Sequence, residues 1–162
     1  VELAKKYSAD SLRYFLMRKI PFGEDGDFSE EALKEAHNNE LANKLGNLVS
    51  RVSGLIEKNG IEKGNSVLIK KFDNKKFEKL MENFELDKAL SEIFAFIDKC
   101  NEYVQGKKPW ETKDKKVLYE LKKAILKISE LLWPFTPESS EKIKKQFSAK
   151  NIKKEGVLFK KI

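Results

Sequence analysis

Length, composition and charge set the first limits on this protein. Its 162 residues are 40% hydrophobic and 36% charged, a balance typical of a single domain, 1–162, with amphipathic elements. No uninterrupted apolar run approaches the ~20 residues of a membrane span, so we expect no contact with a membrane. The net charge of +7 favours a polyanionic partner, above all nucleic acid. The single cysteine excludes an intrachain disulfide, and no secretory signal is recognised, which favours a reducing, cytoplasmic location.

The N-terminal part of the chain predicts two helices separated by a loop. Ser8 can cap a helix that runs from Ala9 to about Ile20. The inner side of this helix is predicted to carry Leu12, Phe15, Leu16 and Ile20. A loop should begin at Pro21, and Asp27 opens a loose capping-box pattern that places the next helix start near Phe28.

The stretch N-N-E-L-A-N-K-L-G-N-L-V-S-R at 38–51 predicts a helix with two distinct faces. The face that must be buried carries Leu41, Leu45, Leu48, Val52 and Leu55. A polar stripe beside it carries Asn39, Asn43, Asn47 and Arg51, at steps of four. Such a stripe is often a solvated surface, but it also offers hydrogen-bond donors in a fixed geometry. The spacing leaves open whether 29–58 is one helix or two with a kink near the asparagines, before Asn59-Gly60 ends it.

The middle of the chain predicts a connection followed by a core helix. Residues 60–72 should form the connection, packed on the core through Val67, Leu68 and Ile69. A short helix at 74–84 then precedes the clearest periodicity in the chain. Its apolar stripe consists of Leu86, Leu90, Ile93, Ile97, Cys100 and Val104. Because Cys100 lies on this stripe, we interpret it as a small buried hydrophobe rather than a nucleophile.

A tryptophan lies in the turn Q-G-K-K-P-W-E-T-K-D that ends this core helix. One interpretation is that Trp110 closes the end of the bundle, because tryptophan is usually largely buried. The other is that its ring is a stacking platform for an unpaired base, with Lys107 and Lys108 beside it for phosphates. Pro109 stiffens the approach to the ring in either case.

The C-terminal part predicts two more helices and a docked tail. One helix should cover about 114–132, and Pro134 stops it. Thr136 then caps a helix that starts at Pro137 and runs to about Phe147. The last residues, G-V-L-F-K-K-I, are apolar enough to pack on the other helices. The complete pattern predicts an all-α fold, an antiparallel bundle of about five main helices.

Familiar catalytic and metal-binding signatures are absent from the sequence. It has no glycine-rich phosphate loop, H-E-x-x-H, C-x-x-C or G-x-S-x-G pattern. His37, the only histidine, is far more often structural or exposed in such a position than a base. The sequence therefore predicts a binding module with no catalytic residue and no metal site. A helical protein-interaction module whose charge serves solubility alone is the alternative from another class.

Several motifs resemble, in order and spacing, the C-terminal anticodon-binding domain of methionyl-tRNA synthetases, which are class I aminoacyl-tRNA synthetases. The motifs are Y-S-A-D-S-L-R-Y-F-L at 7–16, D-G-D-F-S at 25–29, N-x-x-L-A-N-x-L-G-N-x-x-x-R at 38–51, K-P-W at 108–110, W-P-F-T-P at 133–137 and the closing L-F-K-K-I. The first two are shared by several class I synthetases. The L-G-N-x-x-x-R motif and the P-W pair are the specific part of the resemblance.

This resemblance implies roles for individual residues. Asn47 and Arg51 would contact anticodon bases, and Trp110, preceded by Pro109, would lie beside the wobble cytosine of the CAU anticodon. Lys107 and Lys108 are then candidates for phosphate contacts. The prediction requires Trp110 to lie close to the exposed side of Asn47 and Arg51.

The resemblance also implies what should lie elsewhere. ATP-dependent methionine-tRNA ligase activity, with its ATP site and any zinc, would belong to a catalytic part before Val1, so we expect no cofactor in these residues. The partner would be methionine tRNA, and we expect the chain to be a monomer. The equivalent domain of another class I synthetase, such as the cysteinyl enzyme, is the alternative within this class.

Overall fold

The protein is helical throughout the part that the structure describes. A computed structural model describes residues 2–19 and 29–162, and no strand occurs in these two ranges. The helices before the central connection are α1 (Glu2–Lys6), α2 (Ala9–Lys19), α3 (Glu30–Ala36), a π-helical segment (His37–Gly46) and α4 (Asn47–Asn59). The later helices are α5 (Asn74–Glu82), α6 (Leu86–Lys107), α7 (Pro109–Thr112), α8 (Lys115–Leu132) and α9 (Pro137–Ser148). The predicted all-α bundle is confirmed.

Helix α2 begins where the sequence predicted, and its inner face includes predicted Phe15 and half-buried Leu12 but not Leu16. Ser8 caps it, since its Oγ accepts a hydrogen bond from the Ser11 N–H at 3.1 Å. Tyr14 and Phe15 are fully buried, whereas Leu16 is 47% exposed, so the inward assignment of Leu16 was wrong. The buried face is centred on Ser11, Tyr14 and Phe15, at steps of three and four, which leaves Leu16 outside it. The predicted positions of Ile20, the loop from Pro21, the Asp27 cap and the start at Phe28 lie outside the described residues.

One uninterrupted helix runs from Glu30 to Asn59 and forms the centre of the bundle. Ser29 caps it, accepting from the Ala32 N–H at 3.1 Å. The asparagine-rich part is not kinked into two helices but widened into the π-helical segment, in which N–H groups reach carbonyls five residues back. Four residues of the predicted apolar stripe are buried and Leu55 is half-buried. Gly60, at φ 77°, ends the helix as predicted.

The Glu120 carboxylate binds the connection that follows this helix. Glu120 Oε1 accepts from the N–H groups of Val67 and Leu68, at 2.9 and 3.2 Å. Leu68 opens a short 3₁₀ turn and is buried, but Val67 precedes that turn and is 54% exposed, so the core position predicted for Val67 was wrong. The stripe on α6 lies in the core as predicted. Burial raises the pKa of the Cys100 thiol to about 12, so this group is neutral and unreactive at ordinary pH.

A side chain from α2 caps the start of α9. Thr136 precedes this helix as predicted, but its side chain does not cap the first turn. The cap comes instead from Asp10 in α2, whose Oδ2 accepts from the Ser139 N–H at 2.6 Å. The tail after α9 docks as predicted, with Ile152 and Phe159 buried in the same core as the helices. Within the described ranges, no helix is long and apolar enough to span a membrane.

Candidate nucleic-acid interface

Two residues predicted from the sequence, Arg51 and Trp110, come together beside α4, and a third, Asn47, lies on the same helix. The guanidinium carbon of Arg51 lies over the face of the Trp110 ring, 4.6 Å from its centroid. Asn47 lies one helical turn before Arg51, and its side chain is exposed. We call these residues, Asn47, Arg51 and Trp110, the open strip. The proximity of Arg51 and Trp110, which the sequence hypothesis required, is therefore present.

The end of α6 sets the position of the indole. Lys108 terminates α6 in a left-handed conformation, and Pro109 is buried at the first position of α7. Proline suits that position because its missing N–H has no helical partner there. Trp110 follows and is 38% exposed. The indole therefore does not close the bundle as a core residue, because a substantial part of its surface is accessible.

The polar groups of the open strip are not used by the protein itself. Within residues 2–19 and 29–162, the Arg51 side chain makes no hydrogen bond or ion pair. Its guanidinium makes a cation–π contact with the Trp110 ring. The Asn47 amide likewise has no hydrogen-bond partner in these ranges. A cation–π contact at an exposed site contributes only ~0.5–1 kcal/mol, so it can orient the guanidinium without consuming its five N–H donors.

Arg18 shows the contrasting case of an arginine committed to structure. Its guanidinium lies 3.4 Å from the Glu40 carboxylate and donates to the Asp87 carbonyl at 3.2 Å and to Ser91 Oγ. These contacts join α2, the central helix and α6. An arginine without such partners, like Arg51, is available to a ligand that offers acceptors in its plane.

The other predicted residues of this region take lesser positions. Asn43 and Asn39 continue the polar stripe one and two turns before Asn47, and no contact among the described residues brings either amide to Trp110. Lys107 and Lys108 are exposed beside the tryptophan turn, and the Lys107 ammonium lies 5.8 Å from the centroid of the Tyr103 ring. They add positive charge next to the open strip.

The side chains of His37 and Asn38, at the other end of the central helix, are paired with other parts of the protein. His37 is buried, with Nδ1 2.8 Å from Ser11 Oγ and Nε2 2.6 Å from the Lys160 carbonyl. The Asn38 amide forms two hydrogen bonds of 2.9 Å with the backbone of Ile162. The structural interpretation of His37 is thus correct. We call Asp10, Ser11, His37 and Asn38 the closed cluster.

Two features of the site were missed in the sequence. Lys113, like Lys108, is left-handed, and the two residues flank α7. Such positions usually carry glycine or asparagine, so a lysine gives no signal for them.

In the ranges that the structure describes, no group of three or more histidine, cysteine, aspartate or glutamate side chains is arranged to hold a metal ion.

Comparison with protein families assigns the chain. A model described as the anticodon-binding domain of tRNA ligase matches residues 71–161, more than half of the sequence. The chain belongs to this family. A second model, described as tRNA synthetases class I (M), matches residues 1–53. Asn47 and Arg51 fall within the match to the class I (M) model and Trp110 within the match to the anticodon-binding domain model, so the open strip combines residues from both matches.

Individual relatives of this anticodon-binding domain are methionine–tRNA ligases. The chain is 37% identical over 164 residues to the enzyme of Caldanaerobacter subterraneus subsp. tengcongensis and 35% identical over 169 residues to that of Bacillus subtilis. Each match covers 90% of this chain, but only 26% and 25% of the relative. The chain thus spans about a quarter of the length of these enzymes.

Solved structures agree with this assignment. The apo form of Mycobacterium tuberculosis methionyl-tRNA synthetase superposes with a TM-score of 0.88 at 25% identity, over 99% of this chain and 40% of the other. The same enzyme in complex with methionyl-adenylate gives a TM-score of 0.79 at 29% identity, over 88% of this chain and 32% of the other. The resemblance to the anticodon-binding domain of methionyl-tRNA synthetases is confirmed.

Proposed function

We propose that this chain is the anticodon-recognition part of a methionine–tRNA ligase and that its open strip binds the CAU anticodon of methionine tRNA. The observation that carries the proposal is the stacking of Arg51 on Trp110, while the donors of the guanidinium have no partner among residues 2–19 and 29–162. An aromatic platform next to uncommitted donors suits a base that has left the stack of an RNA loop. In a committed structural arginine such as Arg18 those donors would be occupied.

Each residue of the open strip has a defined task in this proposal. The accessible part of the Trp110 ring stacks on the wobble cytosine. Arg51 donates paired hydrogen bonds to acceptors on a base edge, and Asn47 can both donate and accept. Buried Pro109 keeps the turn rigid. The ammonium groups of Lys107 and Lys108 attract phosphates without reading sequence.

The remaining parts of the enzyme would lie outside this chain. In the proposal, ATP-dependent aminoacylation, and any zinc, belong to a catalytic part of the full-length ligase, and residues 1–162 act as one monomeric domain in the cytoplasm. No catalytic residue is assigned here. The chain's own contribution is to place the correct tRNA on the enzyme.

The test compares two exposed tryptophans. Trp110→Ala should weaken binding of methionine tRNA by ~1–3 kcal/mol, the usual value of one base stack. Trp133→Ala is the matched control, because Trp133 is 46% exposed but lies at the end of α8, and Arg51 stacks on Trp110 and not on Trp133. A filter-binding titration of both variants at one salt concentration measures the difference. Equal affinities for Trp110→Ala and the unmodified chain would contradict the proposal.

A further inference from the structure

The corner before Pro109 is the most constrained backbone near the open strip. Lys108 adopts φ 49° and ψ 54°, a left-handed conformation that residues other than glycine rarely enter. A residue that precedes proline is also driven toward extended conformations, so Lys108 is strained for two separate reasons. Among the described non-glycine residues, positive φ occurs at Phe84, Lys108 and Lys113. Two of these three flank the turn that carries the indole.

The backbone of Lys108 joins two helices at this corner. Its N–H donates to the Val104 carbonyl at 3.0 Å and thereby ends α6. Its own carbonyl accepts from the N–H groups of Glu111 and Thr112, at 2.9 and 3.0 Å, and thereby starts α7. The conformation of one residue therefore sets the angle between α6 and the turn that carries Trp110.

Lys113 fixes the other end of the same turn. It is left-handed at φ 54°, and its N–H donates to the Pro109 carbonyl at 3.0 Å. The turn is thus locked on both sides of the indole. The Lys108 side chain, in contrast, is exposed and makes no hydrogen bond or ion pair in the described ranges. The structural role of Lys108 lies in its backbone.

We propose that Lys108 is a positioning residue whose left-handed backbone, more than its charge, holds Trp110 against Arg51 and so sets the selectivity for the stacked base. The inference rests on the proposed function of the open strip. A stacking contact depends on the distance and tilt of the two rings, so a rotation at the corner would remove it. Strain of this kind persists where the surrounding structure fixes it, and it is concentrated at functional sites.

Two substitutions separate the backbone from the charge. Lys108→Asn and Lys108→Val both remove the ammonium group, but asparagine tolerates the left-handed region and β-branched valine opposes it. Dissociation constants are measured for methionine tRNA and for the same tRNA with its first anticodon base changed. In a Trp133→Phe background, the tryptophan band of the near-UV circular dichroism spectrum comes from Trp110 alone, since the chain has two tryptophans.

The two variants should behave differently. Lys108→Asn keeps the preference for the unmodified anticodon and the near-UV band, with a small loss of affinity for both tRNAs. Lys108→Val weakens the band and reduces the preference about tenfold, within the range of a lost base stack. If far-UV spectra show that Lys108→Val is unfolded, Lys108→Thr takes its place, because threonine is also β-branched and opposes the left-handed region more than lysine does.

Two results would overturn the inference. Equal losses of preference in the Asn and Val variants would assign the effect to charge, and an unchanged band and preference in Lys108→Val would remove the corner from the site. The near-UV comparison needs no tRNA. It therefore tests the positioning of Trp110 even if Trp110→Ala shows that the proposed function is wrong.

Discussion

His37 and Asn38 of the closed cluster lie on the same central helix as Asn47 and Arg51 of the open strip, yet the polar groups of the two regions are used in opposite ways. In the closed cluster, His37 and Asn38 bond to Ser11 and to the backbone of the tail. In the open strip, the side chains of Asn47 and Arg51 have no hydrogen-bond partner among the described residues. Burying a polar group without a partner costs free energy, and Oδ1 of Asp10 is the one such side-chain atom among the described residues, whereas an accessible polar group can remain open to a ligand. Pairing thus separates the residues that hold this fold from those that we propose bind RNA.

The largest effect on stability should come from the closed cluster. Asp10→Ala removes the carboxylate that caps α9 from α2, and we expect the free energy of unfolding to fall by about 2 kcal/mol. Hydrogen bonds to charged groups usually contribute ~1.5–3 kcal/mol. We expect a loss below the upper end of this range because Oδ1 of Asp10 is buried without a partner in the described residues, and the substitution also removes that penalty. Urea unfolding measures the change.

The same variant tests the separation of the two regions. Asp10→Asn is the matched control, because its side-chain oxygen can still accept from the Ser139 N–H, and it should lose less stability than Asp10→Ala. Binding of methionine tRNA to folded Asp10→Ala should equal that of the unmodified chain. A selective loss of tRNA binding at unchanged stability would place Asp10 with the open strip.

The next effect concerns the open strip and compares two arginines. Arg51→Lys keeps the charge but loses the planar donors and the stacking on Trp110, and we expect binding to weaken about tenfold, or ~1.4 kcal/mol. The free energy of unfolding should stay nearly constant, since no buried group loses a partner.

The matched substitution Arg18→Lys should do the reverse. It breaks contacts with Glu40, Asp87 and Ser91 inside the bundle, so stability falls while the affinity for tRNA stays the same. Filter binding measures the affinity of each variant for methionine tRNA, and thermal unfolding measures the stability of each variant. If both substitutions changed the same property, pairing would not distinguish the two regions.

The smallest effect is a pH dependence at the outer edge of the closed cluster. The hydrogen bond from Lys6, then its charge, lowers the pKa of Glu30 below 4.5. A lowered carboxyl pKa stabilises the folded state above the unfolded value, and this contribution is lost as pH falls from 4.5 through the folded pKa. Acid unfolding of Glu30→Gln should therefore start from lower stability and fall less steeply in that window.

Glu31 supplies the control for this measurement. It is exposed beside Glu30 and makes no ion pair or hydrogen bond in the part of the chain that the structure describes. Glu31→Gln should leave the acid limb of the unfolding curve unchanged. The same flattening in both variants would show that general charge, and not the Lys6 contact, causes the dependence.

Local patterns carried the prediction of the fold, and contacts distant in sequence limited it. Periodicity placed Leu41 and Leu45 in the core, and Gly60 ended the helix, because each depends on neighbours within one or two turns. The Asp10 cap could not be foreseen, since it joins residues 129 positions apart. The outward turn of Leu16 likewise follows from which helices pack on α2.

The candidate site was predictable to a similar degree. Spacing put Asn47 and Arg51 on one stripe. That Trp110 lies near Arg51 was suggested only by the family resemblance, and it became visible only once the packing of α7 on the bundle was known. The left-handed conformations of Lys108 and Lys113 have no signature in residue type. Which polar groups stay unpaired is a property of the complete fold, so no motif could report it.

The most direct measurement compares two tRNAs on the unmodified chain: methionine tRNA and the same tRNA with its first anticodon base changed. Because phosphate contacts are the same in both, a difference in affinity reports base reading alone. We predict that the changed tRNA binds about tenfold more weakly at a fixed salt concentration, the value of one good base contact. Equal affinity for the two tRNAs would contradict anticodon recognition by the open strip and leave a basic surface without sequence preference.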